Sequence, residues 1–197
     1  MKYEGNVLKT DKELSLLDKK VIEFTEVLDD SNLKYVLVSG YIAILLGRSR
    51  GTEDVDVIIE ELEQKETEKL VERLTEEGYW CINSSKNEIF DMLKDELAVR
   101  FAEKDKIIPN FEVRFAQDEF EKQALDNKIM VEIDSNPLYI SPLELQIAYK
   151  LYLGSEKDFE DALHIYELFK DELDMEKVEK LCIRLDVGVK LNEIRES

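Results

Sequence analysis

One stretch of sequence, residues 38–57, decides the fold: VSGYIAILLGRSRGTEDVDV. An apolar, strand-like run leads into Ser39 and Gly40, and a short apolar helix follows and stops at the next glycine. A polar loop then leads into a second strand over 54–59, in which apolar residues alternate with Asp54 and Asp56. The stretch therefore predicts a strand, a tight turn, a short helix, a loop and a second strand in succession.

Outward from this unit, helical and strand-like periodicities alternate along the chain. Their spacing predicts helices over 11–30, 61–77, 86–95 and 118–125, and strands over 34–38, 79–83, 97–102, 111–116, 128–133 and 138–140. Further helices are predicted over 141–153, 156–171, 174–186 and 189–195. The predicted fold class is α+β (mixed α/β), a mixed β-sheet flanked by helices. We expect a core over 1–140 that includes the N-terminal helix, and a C-terminal helical segment over 141–197 packed on it.

Charge narrows the range of functions. The 197 residues include 27 Lys and Arg against 46 Asp and Glu, which gives a formal net charge of −19. Such a surface repels phosphate backbones and disfavours a general nucleic-acid-coating role, whereas a local cationic pocket or a nucleotide carrying Mg²⁺ is compatible with it. The one histidine, His164, cannot supply a zinc site of two or three histidines within one chain.

Cysteine usage and hydropathy favour a cytoplasmic location. Cys81 and Cys182 lie far apart in the sequence and form no CxxC motif, which is typical of a reduced protein. The longest apolar stretch, 35–46, is too short to cross a bilayer, and residues 1–6 contain no apolar signal core. We therefore expect a cytoplasmic protein with no membrane partner.

Two carboxylates stand out by their context. In a strand, Asp54 and Asp56 share one face, roughly 7 Å apart at Cα, while the valines beside them face the core. Two such carboxylates repel each other unless a cation lies between them, and Mg²⁺ binds one or two carboxylates together with phosphate oxygens. Solvated surface charges are the alternative, because acidic residues are abundant in this chain.

Two further features of the stretch suit an anion. The Ser39-Gly40 turn leaves backbone N–H groups free at the start of the helix, which favours a phosphate; an ordinary tight turn is the alternative. Arg48 and Arg50, followed by Thr52, place two guanidiniums in one loop, which indicates anion capture. Ion pairs with neighbouring acids are the alternative for both arginines.

Together these features resemble the nucleotidyltransferase (polymerase β-like) superfamily. Its signature is an apolar residue, Gly, Gly or Ser, a spacer of about a dozen residues, and Asp-x-Asp or Asp-x-Glu between apolar residues. Here 13 residues separate Gly40 from Asp54. The run Gly-Arg-x-Arg-x-Thr-x-Asp-x-Asp over 47–56 is most similar to small prokaryotic members and the AbiEii-type toxin branch. Ser39 stands where the family usually has its first Gly.

The resemblance implies roles for residues outside this stretch. The family needs a third carboxylate on a neighbouring strand, and Glu112 in Phe-Glu-Val-Arg-Phe is the best match, with Glu132 as the rival. By similarity to a Lys-Asp-x-x-Asp segment of the family, Lys150 would neutralise a triphosphate, and Asp158 would support the site or Lys150. A solvent-facing strand residue paired with an arginine and a snorkelling surface lysine are the alternatives for Glu112 and Lys150.

The implied activity is transfer of an NMP from an NTP to a hydroxyl acceptor, with release of pyrophosphate. Asp54, Asp56 and Glu112 would be catalytic and hold two Mg²⁺ ions, with Mn²⁺ as an alternative, and the substrate-binding residues would be Ser39, Gly40, Arg48, Arg50, Thr52, Lys150 and Asp158. The acceptor stays open between tRNA, a protein and a small molecule, and a partner protein or a homodimer is compatible. The alternatives are a catalytically degenerate regulatory or antitoxin-like binding partner, and a metal-dependent phosphodiesterase.

Overall fold

A mixed β-sheet runs through the structure. The computed structural model describes residues 1–4 and 6–196. Over these residues the strands are β1 (Lys2–Glu4), β2 (Val7–Thr10), β3 (Tyr35–Val38), β4 (Asp54–Ile59), β5 (Tyr79–Cys81), β6 (Val99–Glu103), β7 (Asn110–Phe115), β8 (Ile129–Ile133) and β9 (Asn136–Ile140). Their order in the sheet is β1-β2-β8-β9-β3-β4-β7-β6-β5.

Helices flank this sheet. Over the same described residues they are α1 (Leu16–Asp30), α2 (Gly40–Leu45), α3 (Gln64–Glu76), α4 (Ile89–Lys94), α5 (Glu119–Asp126), α6 (Leu143–Leu153), α7 (Glu156–Phe169), α8 (Met175–Arg184) and α9 (Gly188–Glu196). A mixed sheet flanked by helices is the predicted fold class, and that prediction is confirmed. None of these helices has both the length and the apolar composition needed to cross a membrane.

The centre of the sheet places the acidic strand between two neighbours. β4 pairs antiparallel with β3 on one side and parallel with β7 on the other. Val55, Val57 and Ile59 are fully buried, as strand alternation predicts, so one face of β4 packs into the core. Asp54 and Asp56 occupy the opposite face, where they are half-buried.

Helix α1 begins later than the predicted 11–30 because a capping box sets its start. Ser15 Oγ accepts a hydrogen bond from the backbone N–H of Asp18 (3.1 Å), and Asp18 Oδ2 accepts one from the backbone N–H of Ser15 (2.8 Å). Further along α1, the ring of Phe24 stacks on Phe111 of β7 with centroids 3.9 Å apart. The helix therefore packs its apolar face onto the central strands.

Asp18 is also a fully buried carboxylate with several partners. Lys12 Nζ lies 2.8 Å from its Oδ2, Ser15 Oγ donates to the same oxygen (2.6 Å), and Tyr41 Oη donates to Oδ1 (2.9 Å). Burial raises the pKa of this carboxyl, but these hydrogen bonds outweigh it and hold the pKa below its usual value. The charged cluster thereby ties the start of α1 to α2.

The two N-terminal strands are absent from the sequence prediction. β2 pairs parallel with β8, with Leu8 opposite Val131, and Leu8 is fully buried. Four residues carry too little periodicity to predict a strand by themselves. β2 is a strand because a segment far along the chain supplies its hydrogen-bonding partner.

The C-terminal helices pack against one another and against α2. Helix α6 is buried along most of its length, including the polar side chains of Gln146 and Lys150. It contacts α7 and α8, and α7 also contacts α2. One apolar cluster runs without interruption from the sheet into these helices. The predicted helical tail therefore lies next to the turn that follows β3.

Candidate active site

The turn between β3 and α2 holds its first residue in an unusual backbone conformation. Ser39 has φ of 62° and ψ of −132°, a region that glycine adopts readily and that strains a residue with a side chain. Gly40 follows, and the guanidinium of Arg50 lies over it. A Cβ on residue 40 would lie 2.9 Å from Arg50 Nη2, so a side chain there would displace the guanidinium.

Sheet register brings the predicted carboxylates together. Asp56 lies opposite Val38 on β3 and opposite Glu112 on β7. Asp54 shares a face of β4 with Asp56. Thr52 Oγ1 is 2.9 Å from the backbone oxygen of Asp54 and 3.2 Å from its Oδ1, so it can donate to either. The three candidate acids thus lie on two adjacent strands, and Thr52 orients one of them.

The negative charge in this cluster is poorly compensated at Asp56. Burial raises the pKa of its carboxyl to about 6, and the nearby charges of Asp54 and Glu112 act in the same direction. A hydrogen bond from the Ser39 side chain and the charge of Arg114 act in the opposite direction. A cation near Asp56 would therefore be stabilised by the surrounding carboxylates.

Glu112 has a partner of its own. Arg100 donates to Glu112 Oε2 from Nε (2.8 Å) and from Nη2 (2.7 Å). Within residues 1–4 and 6–196, no group of three or more His, Cys, Asp and Glu side chains is placed to hold a metal ion. The oxygen donors of Asp54 and Asp56, with the raised pKa of Asp56, fit a divalent cation. Both hydrogen bonds from Arg100 go to Oε2 of Glu112, which leaves Oε1 as the oxygen that can join that set.

The predicted phosphate-binding cations converge on one buried carboxylate. Arg48 and Arg50 both pair with Asp161, whose side chain is fully buried. Lys150 Nζ, on a side chain that is only 3% exposed, lies 2.6 Å from Asp158 Oδ1 and 3.0 Å from Asp161 Oδ2. Lys150 and Asp158 therefore form an ion pair between α6 and α7.

Sequence reasoning assigned no role to Asp161, the last residue of the Lys-Asp-x-x-Asp segment. In the sequence it looks like an acid near the start of a helix, where it would favour the helix dipole. The i, i+3 spacing of Asp158 and Asp161 was the available signal, because it places both carboxylates on one face of α7. That face meets Lys150 on α6 and the loop that carries the two arginines.

A cavity of about 240 Å³ opens beside the carboxylates, between the sheet and helices α5 and α6. It is lined by Val38, Ser39, Asp56, Ile58, Glu112, Arg114, Phe120, Glu121, Ala124, Ser141, Leu145, Gln146, Tyr149 and Leu153. Arg114 and Glu121 form an ion pair in its wall. The cavity thus combines an apolar side with the carboxylates of Asp56 and Glu112, and sequence reasoning did not identify the contribution of α5 and α6.

The rival acid Glu132 and the histidine His164 lie away from this cavity. Glu132 pairs with Lys9 (3.7 Å) across β8 and β2, and β9 and β3 separate its strand from β4. His164 Nε2 lies 3.1 Å from the backbone oxygen of Leu46, at the end of α2. Of the two acids considered for the third position, Glu112 is the one that the sheet places beside Asp56.

Comparison with known proteins finds similarity in the fold but none in the amino-acid sequence. The amino-acid sequence matches no family model and no curated protein. The structure is similar to that of an antigenic nucleotidyltransferase-like protein from Paracoccidioides brasiliensis, with a TM-score of 0.57 and 19% identity over 91% of this chain and 94% of that one. The chain has a nucleotidyltransferase-like fold.

Two solved structures related to antibiotics share this nucleotidyltransferase-like fold. ANT(2")-Ia in complex with adenylyl-2"-tobramycin has a TM-score of 0.58 and 18% identity, over 87% of this chain and 98% of that one. The lincosamide antibiotic adenylyltransferase LnuA, bound to lincomycin, has a TM-score of 0.53 and 13% identity, over 80% and 99%. At sequence identities this low, the structural similarity establishes the fold alone, so function must be argued from the site.

Proposed function

We propose that this protein is a Mg²⁺-dependent nucleotidyltransferase that moves an NMP from an NTP to a hydroxyl acceptor and releases pyrophosphate. The observation that carries the proposal is the position of Asp54 and Asp56 on one face of β4. Asp56, on that face, and Ser39, in the turn after β3, line the same cavity within a nucleotidyltransferase-like fold. Charge, register and fold therefore support the same reaction.

Each candidate residue has a distinct task in this proposal. Asp54 and Asp56 would hold Mg²⁺, or Mn²⁺ in its place, with Glu112 as the third ligand of a two-ion site. When bound, the ions neutralise phosphate charge and lower the pKa of a bound hydroxyl. Glu112, in the cavity wall, would help to orient the acceptor hydroxyl for attack on the α-phosphorus, and pyrophosphate would leave.

The cationic residues would position the triphosphate. Ser39 and Gly40 would form the turn that binds a phosphate. Arg50, which lies over Gly40, would add positive charge at that turn. Arg48 and Lys150 would add charge behind Arg50, and Thr52 would keep Asp54 oriented. Asp158 would support Lys150, as their 2.6 Å contact favours.

The cavity favours a small acceptor. Its volume of about 240 Å³ and its apolar side suit a compact hydroxylated molecule with some apolar surface. The net charge of −19 disfavours a long RNA. Among tRNA, a protein and a small molecule, we therefore propose a small molecule.

The proposal also covers the family branch, the cellular location, the division of the chain and its partners. It includes the AbiEii-type resemblance, the cytoplasmic location, the division into a core over 1–140 and a helical segment over 141–197, and a partner protein or second copy of the chain. The regulatory, non-catalytic alternative is an outcome of the test below, since no observation favours it over transfer.

The first experiment measures nucleotide binding and transfer together. Calorimetry with each NTP, with and without Mg²⁺, should show binding that depends on the metal. An NTP labelled at the α-phosphate, incubated with a panel of hydroxylated small molecules, should yield a labelled acceptor and pyrophosphate. If the label appears only in free NMP, water is the acceptor, which would instead indicate a phosphodiesterase.

Variants connect this activity to the site. Asp54→Asn and Asp56→Asn should abolish transfer while the circular dichroism spectrum stays unchanged. Asp126→Asn, an exposed change at the last residue of α5, is the matched control and should keep full activity. Full activity in either site variant, or no Mg²⁺-dependent NTP binding by the unaltered protein, would refute the proposal.

A further inference from the structure

The conformation of Ser39 needs a physical explanation. Its φ of 62° with ψ of −132° corresponds to the first central position of a type II′ turn, where glycine dominates. A residue with a side chain keeps such a conformation only when its surroundings hold it there, at a cost on the order of 1–3 kcal/mol. Something outside the turn must therefore hold it.

Gln146 of α6 is placed to do so. Its Nε2 donates to the backbone oxygen of Ser39 (2.9 Å), and its Oε1 lies 3.4 Å from the backbone nitrogen of the same residue. Ser141 Oγ donates to Oε1 as well (3.0 Å), which fixes the orientation of the amide. The Gln146 side chain is buried, so these hydrogen bonds are shielded from water. A single side chain thus bonds both backbone polar groups of the strained residue.

We infer that Gln146 is a positioning residue that holds Ser39 in a glycine-like conformation. Ser39 and Asp56 line the same cavity, so the conformation of the turn shapes the wall beside that carboxylate. The same conformation sets where Gly40 lies beneath Arg50. The helical tail, through one amide on α6, therefore sets the geometry of the turn that would receive the triphosphate. This last step rests on the proposed function.

Replacement of residue 39 by glycine provides a sharp test. Glycine adopts the observed conformation without strain, so Ser39→Gly should make the turn independent of Gln146. Gln146→Met removes both hydrogen bonds to Ser39 and keeps a side chain of similar length. Gln64→Met makes the same chemical change at an exposed position on α3 and serves as the control.

The readouts are NTP affinity and backbone geometry, measured on the full chain. Gln146→Met should raise the Kd for Mg²⁺-NTP by about tenfold or more, within the range known for coupled neighbouring residues. Whatever Kd Ser39→Gly gives by itself, adding Gln146→Met to that variant should change it by less than about threefold, which would show strong coupling. Transfer assays should show the loss in KM for the NTP more than in kcat.

NMR backbone couplings at residue 39 give an independent readout. In Gln146→Met, Ser39 should leave the positive-φ region, whereas the glycine at position 39 of the double variant should stay in it. Gln146→Glu keeps the acceptor oxygens but places a carboxylate against the Ser39 carbonyl, which repels it. Ser39 should therefore leave the positive-φ region in this variant too. This variant provides the test in a folded protein even if Gln146→Met unfolds.

Two results would overturn the inference. One is that the effects of Gln146→Met and Ser39→Gly on Kd simply multiply, which would indicate a general structural role for Gln146. The other is that Ser39 keeps its positive φ in both Gln146 variants. If the unaltered protein binds no NTP, the proposed function fails, but the NMR measurement still decides whether Gln146 holds the turn.

Discussion

Neutralising Asp56 should make the metal-free protein more stable while it abolishes activity. Its carboxyl has a pKa raised from 3.8 to about 6, first by burial and then by the charges of Asp54 and Glu112. A raised carboxyl pKa means that folding is penalised when the group is ionised. The penalty is absent below about pH 4, grows as the pH rises from about 4 to about 6, and is fully present above that. At about 1.4 kcal/mol for each pH unit, it reaches up to about 3 kcal/mol.

Asp56→Asn removes that penalty and keeps the shape of the side chain. In EDTA at pH 7.5 we therefore expect the free energy of unfolding to rise by up to about 3 kcal/mol, and Tm by about 6–12 °C at roughly 2–4 °C per kcal/mol. At pH 4 the variant and the unaltered protein should have nearly equal stability. Added Mg²⁺ should raise the Tm of the unaltered protein more than that of the variant.

Urea unfolding at both pH values, followed by circular dichroism, measures the difference directly. Asp126→Asn is the control, since an exposed substitution should change stability by less than about 0.5 kcal/mol at either pH. If Asp56→Asn is neutral or destabilising at pH 7.5, burial and the neighbouring carboxylates do not penalise the ionised Asp56 side chain. The same conclusion follows if the gain is equally large at pH 4.

Three other predictions concern the charges and the core. Asp161→Asn should lower the free energy of unfolding by about 3–5 kcal/mol, because it leaves buried cations without their shared partner, whereas Glu160→Gln at the exposed end of the cluster should cost less than about 1 kcal/mol; equal losses in urea unfolding would contradict this. Asp18→Asn should cost about 2–3 kcal/mol at pH 7. Because the pKa of Asp18 is lowered, the stabilisation from its carboxylate is present above pH 3.8 and is lost as the pH falls through the folded-state pKa. The cost of Asp18→Asn should therefore shrink in unfolding experiments at acid pH, and a cost that stays constant would contradict this prediction. Phe24→Ala should cost about 3–5 kcal/mol by removing the ring stacked on Phe111, measured as a fall in the urea midpoint with m unchanged, and a loss below about 1 kcal/mol would show that the stack contributes little.

Much of the central fold follows from local patterns. β4 is predicted and observed at the same residues, 54–59, because its valines alternate with aspartates and one face must be buried. The helix after Ser39-Gly40 is likewise found where it is expected, since glycine and the polar loop delimit it. The late start of α1 could have been read from Ser15 and Asp18, which form the capping box.

The features that sequence reasoning missed depend on distant partners. β2 exists because β8 pairs with it, and Asp161 matters because two loop arginines and Lys150 reach it. Gln146 has no local pattern that marks it, since its partners are the peptide groups of a residue 107 positions away. Such contacts depend on how elements pack, which residue order along one segment does not reveal.

The sequence by itself determined the type and place of most elements, the shared face of Asp54 and Asp56, and the small turn before α2. Periodicity and turn chemistry act within a few residues, so the order of residues is enough to specify them. Only the tertiary structure decided that Glu112 lies beside Asp56 yet pairs with Arg100, that Asp161 gathers the cations, and that α6 holds the turn. Strand register and side-chain pairing across the fold depend on which distant surfaces are buried together, and that is a property of the whole chain.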